Sequence, residues 1–184
     1  MTAVDDLPPF DHQGLTHVII ETPKGSRNKY KYSPETKMFE CAKALTAGLT
    51  FPFDFGFVPS TRAEDDDPLD IIVLMDQPAF AGCLVHARLL GVMEAEQTKN
   101  GKVYRNDRLL AVHNYSIEYG ELKSWQEVAP NFLKELEMFF VLQNQSKGEQ
   151  FKVLSWKDGD AARLAINESK KMPYWSVNSA RATP

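Results

Sequence analysis

Apolar residues in the first two-thirds of the chain fall in short runs closed by turn residues. The last third carries the longer helical periods. His17-Val18-Ile19-Ile20-Glu21 is an apolar run stopped by Thr22-Pro23 and Gly25, which predicts a strand ended by a turn. Lys29-Tyr30-Lys31-Tyr32 alternates and stops at Ser33-Pro34. Ile71 to Met75 is continuous and rich in branched side chains, the pattern of a buried strand. Gly82 to Glu96 predicts a long strand, and Arg108 to His113 another, following the Lys99-Asn100-Gly101 turn. Short strands at this spacing predict a closed or nearly closed barrel.

Pro130 suits the first turn of a helix running to about Gln143. Phe132, Leu136, Phe139, Phe140 and Gln143 recur along it at helical spacing and would face the barrel. Phe151 to Trp156 reads as a strand. Asp158 or Asp160 then caps a last helix, Ala161 to about Lys171, ended by Pro173. Residues 1–13 and 174–184 have no period and are expected to be loose tails. The fold class is α+β.

The 184 residues fit one domain, and 43% hydrophobic with 25% charged residues excludes disorder and a coiled coil. A net charge of -4 argues against a nucleic-acid partner. The absence of a long apolar run argues against a membrane partner. The first residues lack a basic-then-apolar run, so a cytoplasmic protein is expected. Cys41 and Cys83 are too few for a disulfide scaffold, and His12, His17, His86 and His113 show no ligand spacing; His17 and His86 read as packed strand residues.

The chemistry concentrates in Glu64-Asp65-Asp66-Asp67-Pro68-Leu69-Asp70, directly before the Ile71 strand. Carboxylates converging from one loop suit a hard divalent cation, which takes several oxygen ligands at once. Pro68 biases Asp67 toward an extended backbone. In a locally extended loop Asp65 and Asp67 point to the same side, and Asp70 is held by the strand. The plain alternative is a solvated acidic loop. Repulsion among five charges and the adjoining buried strand weigh against it. An EF-hand does not fit, because glycine and glutamate are missing from its sixth and twelfth positions.

Asp65-Asp66-Asp67-Pro68-Leu69-Asp70 resembles the D-x-D-P-x-D signature of the soluble family I inorganic pyrophosphatases. Glu21 to Tyr30 is similar to that family's first strand pair. Phe51-Pro52 through Phe55-Gly56-Phe57 is similar to its Y-P-x-x-Y-G-Y segment, with phenylalanine for tyrosine. The resemblance spans about Leu15 to Lys171. It implies an OB-like closed β-barrel flanked by two C-terminal helices, and hydrolysis of pyrophosphate to two phosphates. It also implies Mg²⁺, or Mn²⁺ in its place, as cofactor, and a homo-oligomer.

Residue by residue, the resemblance makes Asp65 and Asp70 metal ligands, with Asp67 at the metal and orienting or deprotonating the attacking water. Glu21 would help hold metal-bound water or the basic residues, and Lys29, Lys43 and Arg108 would bind phosphate. Lys43 stands where the family has arginine and Arg108 where it has lysine. Further departures are Lys31 for glutamate, Phe51 and Phe55 for tyrosines, Gln97 and Asn106 for aspartates, and Gln143-Asn144 for a Tyr-Lys pair. Glu96 and Asp107 are adjacent acids. However, Asn106, Arg108 and Leu110 share one strand face, which turns Asp107 to the other. The competing readings are a catalytically weak or silent relative that binds metal or phosphate in a regulatory or assembly role, and a simple cation-binding module.

Overall fold

The computed structural model describes residue 4 and residues 7–170. Nine strands and two α-helices follow one another as β1 (Thr16–Thr22), β2 (Asn28–Ser33), β3 (Met38–Ala44), β4 (Asp54–Phe57), β5 (Asp70–Leu74), β6 (Leu84–Lys99), β7 (Lys102–Arg105), β8 (Arg108–His113), α1 (Pro130–Gln145), β9 (Gln150–Asp158) and α2 (Gly159–Glu168). The predicted elements are all present, and β3, β4 and β7 join them. The fold is mostly sheet with two C-terminal helices.

Seven strands form one sheet in the order β1-β4-β5-β8-β6-β7, with β9 paired to β6. β1 also pairs with β6, so β1 is hydrogen-bonded on both sides. The β5–β8 pair is parallel, and every other strand pair among the described residues is antiparallel. β2 and β3 form a separate hairpin. The Thr22 hydroxyl donates to Tyr30 O at 3.2 Å and accepts from Tyr30 N–H at 3.0 Å, tying that hairpin to β1.

Alternation along the strands divides the apolar side chains between two packed layers. Ile72, Leu74, Leu110 and Val112 meet Phe51, Phe55, Leu136, Phe139 and Phe140, so α1 covers this side. Ile71, Val73, Leu109 and Ala111 meet Val18, Ile20, Ala162 and Ile166, under α2. Each such side chain contributes about 1.5–3 kcal/mol by leaving water, which is ample to fix the register of β5 and β8. Gly56 is required by closeness: a Cβ there would lie 2.0 Å from Ile19 O across the β1–β4 pair.

Asp158 caps α2, its carboxylate accepting from Ala161 N–H at 2.9 Å, while Asp160 lies in the first turn. The predicted stop at Pro173 and the tail 174–184 lie outside the described residues. Of the stretch expected to be loose at the start, residues 7–13 are held against β1. Phe10 bridges to Thr16, and Leu7 packs against Ile19, Tyr32 and Phe57. Composition alone hid these contacts, which Phe10 and Leu7 make one side chain at a time. No helix among the described residues is long and apolar enough to cross a membrane.

Candidate active site

The parallel β5–β8 pair sets the centre of the site. Ile71 stands opposite Leu109, so Asp70 and Arg108 open adjacent strands side by side. Arg108 Nη1 lies 2.9 Å from Asp70 Oδ2 and also donates to the carbonyls of Asn106 and Asp107 at 3.1 and 2.9 Å. Its guanidinium is buried over the rings of Phe140 and Phe151, 5.2 and 5.6 Å from their centroids. Below it runs a chain of amides: Asn106 accepts from Arg108 Nη1 and donates to Gln97, which donates to Glu149 Oε2 at 2.7 Å.

These groups line a cleft of about 440 Å³. All seven sequence-predicted residues are there: Glu21 from β1, Lys29 from β2, Lys43 from β3, Asp65 and Asp67 from the acidic loop, Asp70 from β5 and Arg108 from β8. Lys29 and Lys43 face each other in the β2–β3 register. Lys31, Gln97, Asn106, Gln143 and Asn144 line the cleft too.

The acidic loop divides its carboxylates by turning rather than by running extended. Ala63 N–H donates to Asp67 O at 2.7 Å, Asp66 N–H to Ala63 O at 3.1 Å, and Asp66 takes φ 69°. That left-handed residue sends its carboxylate to Arg62, 2.6 Å away. Glu64 accepts from Arg105 N–H at 3.0 Å. Asp65 and Asp67 therefore face the cleft together, as expected, for a different backbone reason. Lys31 Nζ meets both oxygens of Asp67 at 2.7 Å.

Burial is the largest cause of shift at four of these groups. It pushes Glu21 up to about 7, opposed by the Tyr32 N–H bonded at 2.7 Å and aided by the Asp70 charge. Burial lowers Lys29, against the pull of Asp70. Burial and then Asp70 raise Asp65. Burial and the nearby Lys43 ammonium lower Lys147 to about 8.

Four residues weighed against the family pattern lie outside the cleft lining. Phe51 and Phe55 are 1% and 2% exposed and belong to the core, although Lys29 Nζ sits 5.2 Å from the Phe55 ring centroid. Glu96 pairs with Arg105 in the β6–β7 register and does not line the cleft. Asp107 accepts from Ala95 N–H at 2.8 Å and pairs with Arg105 at 3.0 Å, facing away as the strand alternation requires. The sequence reading missed Lys99, Tyr104, Lys147 and Glu149, which complete the lining. Glu149 sits between Lys99 and Lys147 at 3.8 and 3.9 Å. Lys99 and Tyr104 flank the β6–β7 turn and Lys147 and Glu149 follow α1, and no local motif marks any of them.

Carboxylates of the hard type here oppose six cationic side chains, Lys29, Lys31, Lys43, Lys99, Arg108 and Lys147. Such a cleft belongs to a protein that handles a polyanion beside a hard cation. The family model described as inorganic pyrophosphatase matches residues 18–173, and the chain belongs to that family. A Nostoc protein named inorganic pyrophosphatase is 33% identical over 165 residues, 90% of this chain and 95% of that one. One from Methanosarcina mazei is 35% identical over 83% of this chain and 88% of its own. The crystal structure of inorganic pyrophosphatase from Thermus thermophilus is similar with TM-score 0.83 and 30% identity, covering 91% of this chain and 96% of the other.

Proposed function

We propose that the chain hydrolyses inorganic pyrophosphate to two phosphates with the help of Mg²⁺, or Mn²⁺ in its place. The observation that carries this is the single cleft holding Asp65, Asp67 and Asp70 against Lys29, Lys43 and Arg108. The donor set fits a hard divalent ion: carboxylate oxygens of a turned loop and a strand end, converging on one cleft. Asp65, Asp67, Asp70 and Glu21 would hold it. A bound ion of this kind would lower the pKa of a water and neutralise phosphate oxygens.

The chain's own residues supply the rest. Lys29, Lys43 and Arg108 bind the phosphate oxygens and steady the charge that develops as the bridging P–O bond breaks. Asp67 accepts the proton of the attacking water, once Lys31 releases it. Two buried donors of cleft residues, Arg108 Nε and Gln143 Nε2, have no partner among the described residues. Gln97 and Asn106 are neutral and bonded to each other, so the second half of the site offers less charge to a further cation.

The ring of pairings β1-β4-β5-β8-β6 back to β1 supports an OB-like closed barrel. The exposed apolar residues Met138, Val141 and Leu142, at helical spacing on α1, support a homo-oligomer. Likeness to relatives named soluble inorganic pyrophosphatase supports a cytoplasmic protein. The test is phosphate release from pyrophosphate with and without Mg²⁺. Turnover that stops on chelation is expected. A folded chain that binds Mg²⁺ and pyrophosphate without releasing phosphate would overturn the reading.

A further inference from the structure

His17 and His86 lie far apart in the sequence, and the fold brings them together away from the cleft. His17 of β1 stands opposite His86 of β6, with their rings edge to face and centroids 4.8 Å apart. Asp11, from the segment before β1, joins them: its Oδ2 lies 2.8 Å from His86 Nδ1. Its other oxygen, Oδ1, accepts from the backbone N–H groups of Gln13 and Leu15 at 2.8 and 2.9 Å, which fixes the carboxylate. His17 Nδ1 lies 2.7 Å from Pro8 O. A carbonyl only accepts, so Nδ1 carries the proton and Nε2 keeps its lone pair.

We propose that Asp11, His17 and His86 form a metal site for an ion of the Zn²⁺ class, separate from the cleft, that fastens the segment before β1 to the β1–β6 seam. One ligating atom from each residue lies within 4.8 Å of the other two, and none of the three lines the cleft. Tetrahedral Zn²⁺, at about 2.0–2.1 Å from each ligand, needs donors roughly 3.3 Å apart. The spacings here, 2.8 Å for Asp11 with His86 and at most 4.8 Å for any pair, bracket that value. An imidazole fixed through its second nitrogen by a carbonyl, and a carboxylate oriented by backbone N–H groups, are the outer contacts that accompany metal ligands. Two imidazoles and one carboxylate favour Zn²⁺ over Mg²⁺, which takes oxygen ligands and waters. The His86 side chain is 41% exposed, so a water can complete the fourth position.

Co²⁺ titration of the full chain tests this, since four-coordinate Co²⁺ with nitrogen ligands absorbs visible light far more strongly than oxygen-ligated, six-coordinate Co²⁺. One equivalent of the strong band is expected, displaced by Zn²⁺ and unaffected by excess Mg²⁺. Asp70→Asn, which alters the cleft, should keep the band, and His86→Ala should abolish it. Asp11→Asn retains an oxygen for the Gln13 and Leu15 N–H groups and should weaken Co²⁺ binding by at least about tenfold, so it serves as the second variant should His86→Ala not fold. No strong band in the parent, a band that Mg²⁺ removes, or a band undiminished in both His86→Ala and Asp11→Asn would overturn the proposal.

Discussion

Lys31→Met should tighten Mg²⁺ binding to the cleft by roughly 30-fold, and the structure supplies the reasoning. Lys31 Nζ lies 2.7 Å from both oxygens of Asp67, so a cation taking Asp67 must first displace an ammonium. The two side chains are 46% and 50% exposed. Half-exposed pairs of this kind contribute about 0.2–1 kcal/mol, so displacement itself is cheap. The larger effect is repulsion from the displaced ammonium. A Mg²⁺ ion about 2.1 Å from an Asp67 oxygen lies within roughly 5 Å of Lys31 Nζ. At that distance a single and a double positive charge repel by about 1.7 kcal/mol even in a water-like dielectric. Removing both effects gives about 2 kcal/mol, or roughly 30-fold in Kd. Calorimetric titration of Mg²⁺ into parent and variant at one low ionic strength, without phosphate, reads this directly. The metal-free melting temperature should change little. Equal or weaker Mg²⁺ binding by the variant would refute the view that Lys31 holds a cation's place.

The remaining predictions bear on neighbouring groups. Saturating Mg²⁺ at about 100 times its Kd should stabilise the parent by about 2.7 kcal/mol, and Asp70→Asn should remove most of that shift in thermal melts. Arg108→Met should destabilise the metal-free chain by about 3 kcal/mol by leaving Asp70 without its partner, and the double variant with Asp70→Asn should recover part of the loss in denaturant titrations. Lys147, lowered to about 8 in the folded chain, is charged below that pH, so pyrophosphate KM should rise as pH climbs through about 8, and Lys147→Met should flatten that limb. Because its folded pKa lies below its unfolded one, the parent should also gain stability relative to Lys147→Met as pH rises from about 8 toward the unfolded lysine value, which pH-dependent melts would show.

Much of this was legible in the sequence because burial and period coincide. Ile71 to Met75 and the phenylalanines of α1 declare their elements, and the Asp65–Asp70 cluster declares its chemistry. The face of Asp107 followed from strand alternation alone. β3 was hidden because Met38–Ala44 has no buried residue and gains its order from pairing with β2. Phe51 and Phe55 were read as departures that lose the tyrosine hydroxyl, and they lie in the core, since a ring without a hydroxyl has no reason to reach water. His17 and His86 showed no ligand spacing because their proximity is a property of cross-strand register, which neighbours in the sequence do not record. Lys147 and Glu149 follow α1 in a turn whose side only the fold decides.

The parallel β5–β8 ladder also governs when the cleft comes into being. Asp70 and Arg108 open adjacent strands, yet the whole of β6 and β7 lies between them in the chain. Local hairpins close within about 1–10 μs, whereas a parallel pairing across such a span must wait for intervening strands to find their places. During synthesis the acidic loop leaves the ribosome first, and Asp70 meets its cation only when β8 docks. A nascent chain stopped before β8 carries Asp65, Asp67 and Asp70 and not the arginine that pairs with Asp70. Activity regained during refolding should therefore trail strand formation, making turnover a late reporter of a completed sheet.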